Sequence, residues 1–173
     1  MLKGNYVGLR AIEKEDLNRL QSWRNQPEFR RFFREYRELN SSNQAEWFEK
    51  TVLKDRNTVM FAIEELATRD LIGACGLCYI DWINRNADFS IYIGKDNLYI
   101  DEIYADDAAK IMISYGFDEL GLHRLWSEIY EFDELKQMLF NRIGFQLDGR
   151  HRHTHWSEGK WSDSLFYSLI NNY

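Results

Sequence analysis

The chain has 173 residues, enough for one domain with a sizeable core but too few for two domains of typical size. Its 28 acidic residues outnumber its 22 basic ones, and the net charge of −6 argues against a nucleic-acid backbone as the main partner. The N-terminus lacks a signal-peptide pattern, and no apolar run approaches the length that crosses a bilayer. We therefore expect a cytoplasmic protein with neither nucleic-acid nor membrane partners.

Cys75 and Cys78 are the only cysteines, and they lie in one apolar, strand-like run. Residues three apart on a strand face opposite ways, so a disulfide between them is not expected. No second cysteine pair or suitably spaced histidine completes a zinc site. We interpret both as reduced core residues, as is usual in the cytoplasm.

The first half of the chain predicts one strand, three short helices and then three antiparallel strands. The strand predictions follow apolar, β-branched and aromatic runs, and the helix predictions follow apolar residues at helical spacing. Acids at 13–16 and the single proline, Pro27, mark two helix starts. The predicted elements are a strand at 6–12, helices at 13–24, 28–34 and 45–53, and strands at 58–65, 71–82 and 87–93.

The second half begins with the strand that ends at Ile93, a polar loop, and helical spacing from Asp101 to Gly121. A strand at 124–130, a helix at 133–142 and strands at 144–156 and 161–170 follow. No linker, repeat or low-complexity segment interrupts this order, so residues 1–173 are predicted to form a single domain. The order indicates an α+β fold in three layers, with helices flanking a mixed, mostly antiparallel sheet of about seven strands.

The loop before the predicted helix at Asp101 has contradictory features. A strand, a loop and a helix N-terminus in that order commonly bind phosphate, because the first N–H groups of a helix are free. Here no glycine follows Gly94 in the loop, and Asp101, Glu102, Asp106 and Asp107 place four acids at the helix start. One carboxylate about 6 Å from a phosphate costs on the order of 2–3 kcal/mol before salt screening. Alternatively, these acids simply stabilise the helix through its dipole.

The chain contains six short sequence motifs, at residues 9–17, 71–73, 85–89, 120–124, 143–145 and 159–163. They read LRAIEKEDL, LIG, RNADF, LGLHR, IGF and GKWSD. With the order of the elements, they resemble the GNAT superfamily of acetyl-CoA-dependent N-acetyltransferases over essentially the whole chain. The branch holds ribosomal-protein N-terminal, spermidine and amino-sugar acetyltransferases. The resemblance implies a sheet that splays open between its fourth and fifth strands.

The resemblance implies direct attack of an amine on the thioester of acetyl-CoA, the co-substrate. The family's pyrophosphate loop, Gln/Arg-x-x-Gly-x-Gly/Ala, falls on residues 100–105, where only Ala105 matches. Pantetheine would run along the fourth strand, and the pyrophosphate would lie on the loop. The implied cofactor residues of these two parts are Ile91, Tyr92, Ile93, Ile103, Tyr104 and Ala105.

Three further positions bear on the cofactor and on proton transfer. A family asparagine after the fifth strand corresponds to Asp133, and a family tyrosine that protonates the leaving thiolate corresponds to Phe140. The resemblance assigns both to cofactor binding, but Phe140 has no proton to give, so that role is missing or has moved. Asp88 stands where relatives carry a glutamate near the acceptor amine. We predict it as the general base, the alternative being a surface carboxylate beside Arg85.

A further motif near the first helices, Trp23-Arg24-Asn25 with Arg30 and Arg31, resembles the acceptor loop of the amino-sugar branch. The alternative is a helix terminus with solvated arginines. The predicted substrate residues are Trp23, Arg24, Asn25 and Arg30, and Trp82 is predicted with them.

His151, His153 and His155 alternate, so on a regular strand all three would point to one face. A flat row of side chains on one strand does not wrap a tetrahedral ion. We expect a polar outer surface here and no metal.

The sequence predicts an N-acetyltransferase that moves an acetyl group from acetyl-CoA to a primary amine. The acceptor is a small amine, an amino-sugar or a protein N-terminus, so the expected partner is a small-molecule or peptide amine. Two alternatives stay open, a degenerate binding or regulatory protein on the same fold that does not use acetyl-CoA, and an enzyme with another acyl donor. The oligomeric state is also open, with a homodimer as one option.

Overall fold

The computed structural model describes residues 1–172, and within them eight strands form one sheet. The strands are β1 Leu2–Lys3, β2 Val7–Ala11, β3 Val59–Glu65, β4 Leu71–Asp81, β5 Asn86–Ile93, β6 Arg124–Tyr130, β7 Gln146–Ser157 and β8 Lys160–Ile170. The helices are α1 Leu17–Asn25, α2 Pro27–Arg30, α3 Ser41–Trp47, α4 Tyr104–Ser114 and α5 Glu134–Arg142.

The sheet has the order β1-β2-β3-β4-β5-β6-β8-β7. Among the described residues, its neighbouring strands are antiparallel except for the parallel pair β5 and β6. The prediction of an α+β fold with a mixed, mostly antiparallel sheet is therefore confirmed. The prediction lacked β1, because two residues are too few to show a period.

The sheet splays open between β5 and β6, the fourth and fifth strands of the prediction. Their pairing covers only Asn86–Asp88 on β5 and Arg124–Trp126 on β6. Beyond these three pairs, the second half of β5 has no β6 partner in the ladder. The predicted splay is confirmed, and it begins at Asp88.

Helix α4 begins at Tyr104, three residues later than predicted. A short 3-10 turn, Lys95–Asn97, and an irregular segment precede it. The helix ends at Ser114 and continues as a wider π turn, Tyr115–Glu119. Helix α2 is also shorter than predicted, because Phe32 and Phe33 lie beyond its end and pack against Tyr99.

The core includes an aromatic cluster formed by β5, α5 and the start of the last hairpin. Phe140 is fully buried and stacks on Phe145 with ring centroids 5.0 Å apart, and Phe89 packs against both rings. The assignment of Phe140 to cofactor binding is therefore corrected, because its side chain lies in the core. No helix in residues 1–172 is long and apolar enough to span a membrane.

Candidate active site

A cavity of about 410 Å³ lies where β5 and β6 part. One side consists of β3, β4, the two parting strands and α5, and the other consists of the segment from α1 to the residues that follow α3. Its lining includes Asp88, Ser90 and Tyr92 from β5, Ser127, Glu128 and Tyr130 from β6, Lys136 from α5, and Arg24, Phe33, Arg34 and Glu35 from the helical segment.

Asp88 is buried at the point where the splay begins. Burial raises the pKa of its carboxyl from the ordinary 3.8 to about 7, while Arg34 and Lys136 lower it and Glu128 raises it further. The Arg34 guanidinium is 4.0 Å from the carboxylate. A carboxylate with a pKa near neutrality can take a proton from an attacking amine, which is what a general base requires.

Charged side chains of both signs surround this carboxylate. Arg34 donates to Glu128 at 2.7 Å, so the cation nearest to Asp88 is shared with a second acid. Glu35 is another acid of the cavity. The Arg37 side chain lowers the pKa of Glu35 to about 2, so Glu35 is ionised at neutral pH. The cavity can therefore accept an ammonium group and also has cations to bind an anionic group of the same ligand.

Lys136 is a cavity residue that the sequence analysis missed. It is buried on α5, and burial lowers the pKa of its ammonium group while Asp133 and Asp88 raise it. The available signal was its position one helical turn before Phe140, which places both residues on one face of α5.

The text Trp23-Arg24-Asn25 divides between the cavity and the core. Arg24 lines the cavity, with its guanidinium 4.4 Å from the centre of the Phe33 ring. Trp23 is buried, and a Cβ placed on Gly94 would come within 2.0 Å of its indole ring. Glycine is required at that position for space, which makes Trp23 a packing residue of the end of β5.

The other predicted substrate residues lie outside the cavity. The Asn25 amide both donates to the Leu39 carbonyl and accepts from its N–H, at 2.8 Å each, which fixes the loop before α3. Arg30 pairs with Glu38, and Trp82 is half exposed after β4. Only Arg24 of the five predicted substrate residues therefore lines the cavity.

The donor side of the splay begins at the end of β5. Tyr92 lines the cavity, whereas Ile91 and Ile93 are fully buried. The N–H of Ile93 donates to the Tyr99 carbonyl at 2.6 Å. The Tyr99 hydroxyl in turn donates to the buried carboxylate of Asp133 at 2.7 Å. Tyr99 thus joins the end of β5 to the start of α5.

The first N–H groups of α4 already have an acceptor within the chain. The Asp101 carboxylate accepts from Ile103 at 2.9 Å, from Tyr104 at 2.8 Å and from Ala105 at 2.7 Å. The Tyr104 hydroxyl, for its part, donates to Glu65. Asp101 therefore caps α4, as the alternative interpretation of the acidic loop proposed.

The other acids at the start of α4 also have partners. Arg142 binds the Asp106 carboxylate at 2.7 Å and lies 3.8 Å from Glu102. Asp107 accepts the N–H groups of the turn before β2. The family implies a coenzyme A diphosphate at this helix start, but the residues present do not fit one. The N–H groups of residues 103–105 are already bonded, and the surrounding acids repel an anion.

The three histidines do not form a row. A register shift separates His151 from His155, and His153 has a φ of 50°. His151 packs on Phe166, and His155 stacks on Tyr130 at 3.6 Å. Across residues 1–172, no group of three or more His, Cys, Asp or Glu side chains is arranged to hold a metal ion.

The structure thus has a mixed sheet that parts at a buried carboxylate, with a cavity between the parting strands that can hold a substrate. The chain belongs to the GNAT family, because the family model described as acetyltransferase (GNAT) domain matches residues 7–146. It is an acetyltransferase, as the sequence predicted.

Similar proteins agree with this assignment. Spermidine N(1)-acetyltransferase of Escherichia coli K12 is 24% identical over 165 residues, which is 95% of this chain and 86% of that protein. A putative ribosomal N-acetyltransferase of Bacillus subtilis is 26% identical, covering 95% of this chain and 91% of that protein. An uncharacterised N-acetyltransferase, p20, of Bacillus licheniformis is 28% identical, but the match covers only 64% of this chain and 61% of that protein.

The fold has solved counterparts. The crystal structure of spermidine N-acetyltransferase from Vibrio cholerae in complex with CoA and spermine has a TM-score of 0.86. Its sequence is 22% identical, and the match covers 95% of each chain. This likeness confirms the fold.

Proposed function

We propose that this acetyltransferase transfers an acetyl group from the thioester of acetyl-CoA to the primary amine of a small molecule held in the cavity over Asp88. The observation that carries the proposal is the position of Asp88, a buried carboxylate with a pKa near neutrality where the sheet parts. In the proposed reaction, the amine nitrogen attacks the acetyl carbonyl carbon and the bond from that carbon to sulfur breaks, so that coenzyme A leaves as its thiolate. The proton that the amine loses passes to Asp88.

The remaining cavity residues are proposed to select the amine. Glu128 and Glu35 offer carboxylates to cationic groups of the ligand, and Arg24 offers a guanidinium to an anionic one. Polyamines are the first acceptors to test, because the names of the Escherichia coli relative and of the Vibrio structure include spermidine. Amino-sugars and a peptide with a free N-terminus complete the panel.

The test compares wild-type protein with the Asp88→Asn variant in an acetyl-transfer assay with this panel. We expect the wild type to acetylate at least one amine. In the variant we expect kcat/KM to be lower by at least about 100-fold, because general-base catalysis contributes about 10²–10⁴-fold. Asp70→Asn is the matched control, since Asp70 is an exposed aspartate in the turn between β3 and β4. A wild-type chain that acetylates no amine of the panel, or a fully active Asp88→Asn variant, would contradict the proposal.

A further inference from the structure

We infer that the segment Tyr99–Asp101 determines which acyl donors this chain accepts, by excluding the anchoring of a donor through its diphosphate at the start of α4. The inference rests on the proposed acetyl transfer and concerns only the donor. It predicts that coenzyme A gains no affinity from its diphosphate in this protein. The thioester arm would then supply the affinity for the donor.

The start of α4 is already occupied by a carboxylate of the chain. Three consecutive N–H groups, from Ile103 to Ala105, donate to the two oxygens of one carboxylate, Asp101. A phosphate needs the same donors for the same reason, since both are oxyanions at a helix N-terminus. Asp101 is attached to the helix through the chain, so a phosphate must displace a ligand that never leaves the vicinity.

Packing of the preceding residues holds Asp101 in place. Tyr99, two residues earlier, is buried and stacks on Phe32 with ring centroids 4.4 Å apart. Its hydroxyl bonds to Asp133 and its carbonyl to the N–H of Ile93. Its φ of 52° is costly for an aromatic residue, so these contacts must outweigh the strain of the backbone. The segment is therefore a packed part of the fold.

The cations near the start of α4 that could balance the charge of a diphosphate are already paired. Arg142 lies beside the start of α4, but its guanidinium binds Asp106 and the Asp101 carbonyl. Lys95 lies at the other end of the loop and binds Glu65 at 2.6 Å. Both cations are already paired with groups of the chain. A diphosphate here would have to break these pairs as well as the helix cap.

The inference is tested by isothermal titration calorimetry of the full chain with two probes, coenzyme A and pantetheine, which lacks the diphosphate and the nucleotide. In the wild type we expect the two dissociation constants to agree within about threefold, because neither the diphosphate nor the nucleotide that it carries is anchored at the start of α4. In the Asp101→Gly variant we expect coenzyme A to bind about tenfold more tightly than in the wild type, with pantetheine unchanged. Asp96→Asn is the control, since it removes one exposed negative charge from the same loop.

A melting curve of each variant verifies that it is folded. If Asp101→Gly is unfolded at the titration temperature, Asp101→Asn replaces it, with the same direction expected from the lost charge. Wild-type protein that binds coenzyme A about tenfold more tightly than pantetheine would overturn the inference. A folded Asp101 variant with unchanged coenzyme A affinity would do the same. The titration requires neither an amine nor Asp88, so its failure is distinguishable from failure of the transfer assay.

Discussion

At the scale of single residues, the groups around Asp88 determine at which pH it can accept a proton. The sequence predicted Asp88 because a family text, Arg85–Phe89, contains it, and the structure places it in the cavity. This motif could not indicate Lys136, which is 48 residues further along the chain than Asp88. The two side chains come together only because α5 packs beside the splay.

Replacement of Lys136 by methionine is predicted to shift the pH dependence of transfer. The lysine charge lowers the pKa of Asp88, so its removal raises that pKa, and the acidic limb of the profile of kcat/KM against pH moves to higher pH. The measurement is that profile for the wild type and for Lys136→Met. Lys110→Met, on the exposed side of α4, is the control. An unshifted acidic limb would show that Lys136 does not act on Asp88.

At the scale of elements, the acids that begin α4 connect this helix to its neighbours. Asp101 caps the helix, Asp106 binds α5 through Arg142, and Asp107 binds the turn between β1 and β2. The sequence indicated the acids, but periodicity cannot tell whether a carboxylate faces a ligand, a helix end or another strand. The start of α4, predicted at Asp101, lies at Tyr104 because the aspartate acts as a cap outside the helix.

Replacement of Asp107 by alanine is predicted to destabilise the fold by about 2–4 kcal/mol, because buried N–H groups lose a charged acceptor. The Asp107 carboxylate accepts from the N–H groups of Asn5, Tyr6 and Val7, at 3.1, 2.7 and 3.0 Å. The measurement is the free energy of unfolding in urea, with the exposed Asp70→Ala as control. A loss below about 0.5 kcal/mol, the range of ordinary surface substitutions, would refute this role of Asp107.

At the scale of the whole molecule, the splay divides the sheet between β5 and β6. These strands are parallel and are joined through α4, and their pairing ends at Asp88. The cavity lies at this separation and requires a buried carboxylate at its base. Folding therefore includes the free-energy cost of placing that group away from water.

This cost predicts how the stability of the whole chain depends on pH. The pKa of Asp88 is about 7 in the folded protein and ordinarily 3.8, so the folded state favours the protonated form. The free energy of unfolding is therefore highest below about pH 4, where Asp88 is protonated in the folded state. It falls as the pH rises to about 7, by at most on the order of 4 kcal/mol. The measurement is the free energy of unfolding of the wild type minus that of Asp88→Asn, from pH 4 to 8. A difference that does not fall with pH would exclude this linkage.

The sequence by itself determined the order and type of the elements and the mixed sheet, and it predicted Asp88 as the general base. Hydrophobic period, turn residues and short family texts are local, and they survive at low identity. Only the tertiary structure decided that the Asp101 side chain caps α4, that Tyr99 reaches Asp133, and that Lys136 lines the same cavity as Asp88. Each of the last two arrangements joins residues more than 30 positions apart. Such contacts depend on how packed elements are placed in space, and a local pattern carries no record of that placement.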